Sequence, residues 1–154
     1  MGKVITLEEI SSIRQNKILV TTNGTFDILH VGHLRILQAA RNMGDCLLVL
    51  INSDASVQKN KGTGRPIIPL LERMEMLCGL GCVDYVMPFD TTDVLELLKL
   101  IQPEIHVKGG TFIQERIAAE QALVASYGGQ HICLAQIGNF STTNLIQKIR
   151  ATLS

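Results

Sequence analysis

The chain lacks a surplus of either charge: its 14 basic and 14 acidic residues cancel, and no block of like charge interrupts it. Without a net field, neither a nucleic-acid backbone nor an anionic membrane surface is favoured as a partner, so any phosphate-binding charge has to be local. An apolar run near the roughly 20 residues that span a bilayer is also missing. The opening Met1-Gly2-Lys3-Val4-Ile5-Thr6 has no secretory apolar region, and a cytoplasmic location is the expectation. Cys46, Cys78, Cys82 and Cys133 form no Cys-x-x-Cys pair, which favours buried reduced thiols over structural zinc. Repeats and low-complexity tracts are absent. With 46% hydrophobic and 18% charged residues, the composition describes a folded globular chain. Its 154 residues are expected to form one domain, 1–154, whose core needs no metal or disulfide staple.

What is present is alternation. Thr6 followed by Glu9 is a capping-box pattern and predicts a short helix over about 6–15. The apolar runs Ile18–Thr22 and Cys46–Ile51 read as buried strands, the second continuous as for a strand covered on both faces. Between them Leu34, Leu37 and Ala40 fall at helical spacing, with Gly44 as a stop. The same order then recurs: a helix at Pro69–Cys78, a strand at Asp84–Met87, a helix at Asp93–Ile101 begun by Thr92, and a strand at Ile105–Lys108. A helix around Gln114–Tyr127, a strand near His131–Gln136 and a last helix from about Thr142 complete the pattern. This predicts an α/β fold, a Rossmann-like three-layer α/β/α arrangement with a central parallel sheet and right-handed crossovers. Ligands in such folds sit beyond the carboxyl ends of the strands. Segments 22–33, 52–65, 108–112 and 138–143 all follow predicted strands, which points to one site built from four loops.

The first of these carries the most chemistry. Gly24 allows close backbone approach, and the start of the following helix offers free amides to an anion. His30 and His33, three positions apart, are expected on one side of a helical turn with Gly32 leaving room for a ligand, so that both imidazoles can donate to one phosphate. The spacing alone fits structural histidines or a metal pair equally well. His106 and His131, each within an apolar strand, read as core residues rather than ligands.

The segment Asn23-Gly24-Thr25-Phe26-Asp27-Ile28-Leu29-His30-Val31-Gly32-His33 resembles the GxFDxxHxGH motif of the cytidylyltransferase-like nucleotidyltransferases. The similarity runs from about Ile18 to Ile149. Asn52-Ser53-Asp54, Lys61-Gly62, Arg65-Pro66, Glu72-Arg73-Met74, Val83-Asp84, Val107-Lys108-Gly109-Gly110 and Ser141-Thr142-Thr143-Asn144 follow in the order of the adenylyltransferase domains that make ADP-heptose for the lipopolysaccharide core. The resemblance implies the HxGH nucleotidyltransferase fold and an enzyme that transfers AMP from ATP to a sugar phosphate, D-glycero-β-D-manno-heptose 1-phosphate, releasing pyrophosphate. It places His30 and His33 on the nucleotide phosphates, with Lys61, rather than Lys59, on a loop rich in Gly62 and Gly64 that closes over them. Thr25 and Phe26 contribute backbone contacts and Gly32 lies beside the nucleotide. Lys108, Gly109 and Gly110 flank the base, and Ser141, Thr142 and Thr143 cradle the β- and γ-phosphates. Asn52, Arg65, Arg73 and Asp27 are assigned to the acceptor. Arg65 and Arg73 fit structural ion pairs equally well, Asp27 fits an Asx-turn, Lys61 a solvated loop, and Ser141 an ordinary helix cap. The family commonly has aspartate where this chain has Thr111. Mg2+ is implied by the polyphosphate substrate rather than by a carboxylate cluster, and a homodimer is usual among similar enzymes.

Two rivals stay open. One is a cytidylyltransferase acting on glycerol 3-phosphate or a related alcohol phosphate, because the opening motif does not distinguish the bases. The other is a nucleotide-binding module without turnover. No kinase domain fits within the chain.

Overall fold

Six parallel strands form one sheet in the order β1-β4-β3-β2-β5-β6 in a computed structural model that describes residues 1–110, 113–136 and 138–154. The strands are β1 (Lys3–Val4), β2 (Leu19–Gly24), β3 (Cys46–Asn52), β4 (Tyr85–Phe89), β5 (Ile105–Gly109) and β6 (Gln130–Leu134). The helices are α1 (Ile10–Arg14), preceded by a 3-10 turn at Leu7–Glu9, α2 (Val31–Arg41), α3 (Asp54–Lys61), α4 (Leu70–Cys78), α5 (Leu95–Ile101), α6 (Gln114–Ser126) and α7 (Thr142–Leu153).

β3 lies at the middle of the layers and every one of its residues is buried. Its period-2 side chains therefore divide two cores. Leu48 and Leu50 pack with Leu19, Leu98 and Ile101 of α5 and Val124 of α6. Leu47, Val49 and Ile51 pack with Leu37 of α2 and Leu77 of α4. Helices thus cover both faces, which is the predicted three-layer α/β/α arrangement.

Four local expectations change. α3 occupies much of 52–65, which reads as a loop because its Lys-Asn-Lys end is polar; Ser53 caps it by accepting from the Ser56 amide at 3.2 Å. β1 is too short to leave a periodic signal, and it pairs only at the sheet edge with β4. Thr92 does not begin α5; Asp93 Oδ1 instead accepts from the Leu95 amide at 3.0 Å. Gly44 does not stop α2, whose C-cap is Asn42. A Cβ on Gly44 would stand 2.6 Å from both the Ile18 carbonyl oxygen and Val20 Cγ2, so glycine is needed there for close approach to β2 rather than for a turn.

The loops at the carboxyl ends are tied from beneath by two buried side chains. Arg73 of α4, whose side chain has no exposed surface, donates to the carbonyls of Ile68 (2.9 Å), Thr25 (2.6 Å) and Asn52 (2.9 Å) and to Asp54 Oδ1 at 2.7 Å. One planar guanidinium thereby joins the loop after β2, the end of β3, the start of α3 and the approach to α4. Asp27 accepts from the amides of Ile67 and Ile68, each at 2.8 Å, and from Arg65 Nε at 2.6 Å. Burial alone would raise the Asp27 pKa, but those two amides and the Arg65 guanidinium together hold it below its ordinary value.

Arg73→Met would leave three carbonyls and a carboxylate short of a donor. A loss of about 3–5 kcal/mol is expected, visible as a lower midpoint in thermal or urea denaturation. A loss below about 1 kcal/mol would show that water replaces the guanidinium.

Candidate active site

A cavity of about 460 Å³ opens beyond the carboxyl ends of β2, β3 and β5. That is enough for a small-molecule ligand. Its walls come from residues 22–26 at the end of β2 and just beyond it, the start of α2, the end of α3, Lys108-Gly109-Gly110 at the end of β5, and Phe140 to Thr143 at the start of α7. Four loops do converge, as the strand order requires.

His30 and His33 lie in the wall with their rings stacked, centroids 3.8 Å apart and 23° between planes. Only His33 is within α2; His30 is its N-cap residue, in extended backbone, and its side chain caps nothing. Stacking therefore comes from the turn into the helix rather than from a shared helical face. Gly32 borders the cavity, yet the room it leaves is filled by protein. A Cβ there would come within 2.9 Å of the His30 ring and 2.8 Å of Phe140 Cβ. Nδ1 of each histidine is buried without a hydrogen-bond partner among the described residues. Burial lowers the pKa of His30, and for His33 burial, then the neighbouring His30 and Lys61 charges, push it down to about 4. Both imidazoles are therefore neutral near pH 7 and short of partners, a state an anionic ligand would relieve.

Lys61 is the last residue of α3 rather than part of a free loop, and it lines the same cavity. Burial, then repulsion by Arg65, lowers its pKa, with Asp27 opposing. Across from it, α7 begins with Ser141 Oγ accepting from the Asn144 amide at 3.0 Å, an ordinary cap. Thr142 Oγ1 donates to the Ile28 carbonyl at 3.3 Å. Two of the three hydroxyls are thus occupied locally. The leading amides of a helix have no intrahelical acceptor, so it is backbone N–H groups, with exposed Thr143, that α7 offers to an anion.

Thr25, Phe26, Asn52, Lys108, Gly109 and Gly110 all border the cavity. Asp27, Arg65 and Arg73 do not. For two of them the assignment to the acceptor is corrected by the geometry: Arg73 is consumed by four hydrogen bonds, and the Asp27 carboxylate holds residues 65–68 rather than making a local Asx-turn, whereas Arg65 spends only Nε on Asp27 and keeps Nη2 without a partner among the described residues. Thr111 lies outside the described residues. The cavity also contains residues that no motif singles out, chiefly Asn60, Arg116 and Glu120. Arg116 Nη2 donates to Asn60 Oδ1 at 3.2 Å, bridging α6 to α3. In the sequence it is one arginine on a helix surface, and nothing in its spacing separates it from a solvated one.

Metal-binding capacity is limited. The carboxylates lining the cavity are Asp93, whose Oδ1 caps α5, and Glu120, which is held by Lys108 at 3.3 Å. They form no open pair for a hard divalent cation. His106, Glu120 and His131 place ligand atoms within 4.8 Å of one another. The Lys108 ammonium on the same carboxylate makes this a hydrogen-bonded cluster rather than a metal centre. The two histidines are core residues, as their apolar strands suggest.

Several known proteins are similar to this chain in sequence or fold. The chain is 44% identical to the bifunctional protein HldE of Geotalea uraniireducens (strain Rf4) over 97% of its own length and 31% of that protein's. Against the bifunctional protein HldE of Pseudomonas fluorescens (strain SBW25) it is 41% identical, over 96% of this chain and 32% of that one. It therefore spans about a third of these relatives. Among solved structures, a lipopolysaccharide core biosynthesis protein from Thermoplasma volcanium GSS1 superposes with a TM-score of 0.66 at 25% identity, covering 79% of this chain and 98% of that one. Pantoate-beta-alanine ligase from Francisella tularensis, complexed with beta-gamma ATP and beta-alanine, shares the fold with a TM-score of 0.69 at 17% identity, over 95% and 73% of the two chains. The sequence pattern of the cytidylyltransferase-like family matches residues 21–148, and to that family this chain belongs.

Proposed function

We propose that residues 1–154 form a nucleotidyltransferase domain that transfers AMP from ATP to D-glycero-β-D-manno-heptose 1-phosphate, giving ADP-heptose and pyrophosphate. The observation that carries this reading is the stacked pair of neutral histidines, each with an unpartnered buried nitrogen, in a cavity whose other walls hold Lys61 and the start of α7. The choice of adenine and heptose rests on the segments after residue 52 and on the HldE relatives. In this reading the protein works in the cytoplasm on a lipopolysaccharide-core precursor; no described helix is long and apolar enough to cross a membrane. A homodimer belongs to the same proposal, carried by family resemblance alone.

A phosphate oxygen of the acceptor attacks the α-phosphorus in line, and pyrophosphate departs with the bonding pair. The chain supplies positioning and charge stabilisation rather than a covalent intermediate. His30 and His33 donate to the oxygens that gain charge. Lys61 neutralises the reacting phosphates, and the leading amides of α7 hold the β- and γ-phosphates. Asn52, Asn60 and Arg116 line the side left for the acceptor. Mg2+ carried by the triphosphate would supply further charge neutralisation there; among the described residues the cavity offers no open carboxylate pair to hold it.

Pyrophosphate release from ATP or CTP, each offered with heptose 1-phosphate or glycerol 3-phosphate, tests the pairing. ATP with heptose 1-phosphate is expected to be fastest. Faster release from CTP with glycerol 3-phosphate would overturn it, and no release with any pair would leave a binding module. His33→Ala is expected to lower kcat by about a hundredfold or more, as for a lost oxyanion donor; unchanged turnover would remove the histidine from the reaction.

The depressed pKa of His33 also has a stability signature. With about 4 in the folded state against an ordinary 6.5, the unfolded chain takes up the proton first as pH falls. The penalty is absent above pH 6.5 and grows down to about pH 4. His33→Gln should therefore lose less stability than the unsubstituted protein between pH 7 and 5, by roughly 1–2 kcal/mol in urea denaturation. Equal losses would show that His33 is not held neutral.

A further inference from the structure

Behind the wall formed by β5 lies a polar cluster that the proposed reaction does not use. Glu120, on the second turn of α6, has a side chain only 4% exposed. Its Oε2 faces His131 Nε2 at 3.1 Å and His106 Nε2 at 3.7 Å, and its Oε1 accepts from Lys108 Nζ at 3.3 Å. A carboxylate can only accept, so the His131 imidazole presents Nε2–H to it. On its other side His106 Nδ1 is hydrogen-bonded to the Thr21 hydroxyl at 2.7 Å. Burial by itself would raise the Glu120 pKa; the neighbouring His106 and His131 imidazoles and the Lys108 charge outweigh it and hold the group ionised. Lys108 donates a second bond to Asn23 Oδ1 at 3.0 Å.

We infer that Glu120 is a positioning residue that fixes the Lys108 ammonium as a hydrogen-bond donor to the neutral nucleoside part of the bound nucleotide. This rests on the reading of the cavity as a nucleoside triphosphate site. Lys108, Asn23 and Glu120 all border that cavity. Two of the three ammonium hydrogens are committed, to Glu120 and Asn23, which leaves one for a ligand and fixes its direction. The Glu120 charge cancels that of Lys108, so this wall attracts a neutral acceptor, such as a ring nitrogen or a hydroxyl oxygen, more than a phosphate. The opposite wall, with Lys61 and the α7 amides, has no such carboxylate partner and suits the phosphates. Two ends of one cavity are thus distinguished by charge balance rather than by shape.

The experiment compares binding of ATP with binding of inorganic tripolyphosphate, by calorimetry without any acceptor sugar. Glu120→Gln puts an amide N–H where the cluster requires an acceptor and releases Lys108. Lys108→Met, at a side chain 17% exposed, removes the donor itself and serves as the second variant should Glu120→Gln not fold. Each is expected to weaken ATP about tenfold, the loss of one well-placed bond, and to leave tripolyphosphate within about twofold. Glu120→Gln should add nothing further in the Lys108→Met background, because it acts through that lysine. Equal weakening of both ligands would mark a general structural role and overturn the inference, as would undiminished ATP affinity in the lysine variant. Since turnover is not measured, a failure of heptose 1-phosphate as acceptor leaves this test standing. Failure of the unsubstituted protein to bind ATP would overturn the nucleotide site itself.

Discussion

Because β2 pairs in parallel with β3 on one side and β5 on the other, the carboxyl ends of all three are brought to one rim. Gly24 lies level with Ile51 and Thr22 level with Val107, so the chain beyond each strand, from Thr25, Ser53 and Gly110, leaves the sheet at the same rim. An antiparallel neighbour would have sent one of these loops to the far edge. The cavity, its histidines and its cations depend on that shared direction, and the burial of β3 on both faces keeps the strands from slipping in register.

Loops alone would not hold a catalytic geometry within a few tenths of an ångström. Arg73 and Asp27 supply the rigidity, one by bonding three carbonyls and a carboxylate across four chain segments, the other by gathering residues 65–68. Polar groups buried this deeply are costly unless fully paired. Their pairing couples the loop after β2 to the starts of α3 and α4, so the histidine turn and the Lys61 helix share one anchor.

Sequence and structure agree where the signal is periodic or repeated. The continuous apolar run of β3, the spacing of Leu37 and Ala40 on α2, and the strand-to-loop placement of the four functional segments are all visible in order along the chain. Misreadings occur where a residue's role depends on a distant partner. Asp27 and Arg73 have the charge and motif position of acceptor ligands, but most of their partners stand 19 to 48 positions away in the chain, in bonds such as Arg73 to Asp54 and Arg73 to Thr25. Glu120 and Arg116 were invisible for the same reason: a helix surface shows its charged residues alike until one face is packed on a sheet.

The amino-acid sequence by itself determined the parallel α/β architecture, the histidine pair at the first strand-to-helix turn, and the family, because each is written in local pattern or in contiguous residues. Tertiary structure decided which charges reach the cavity and which are consumed beneath it. It also placed the two histidines stacked and neutral, through a burial that no spacing reveals. Charge state and access depend on what surrounds a group in space, and those surroundings are assembled from segments the chain keeps far apart.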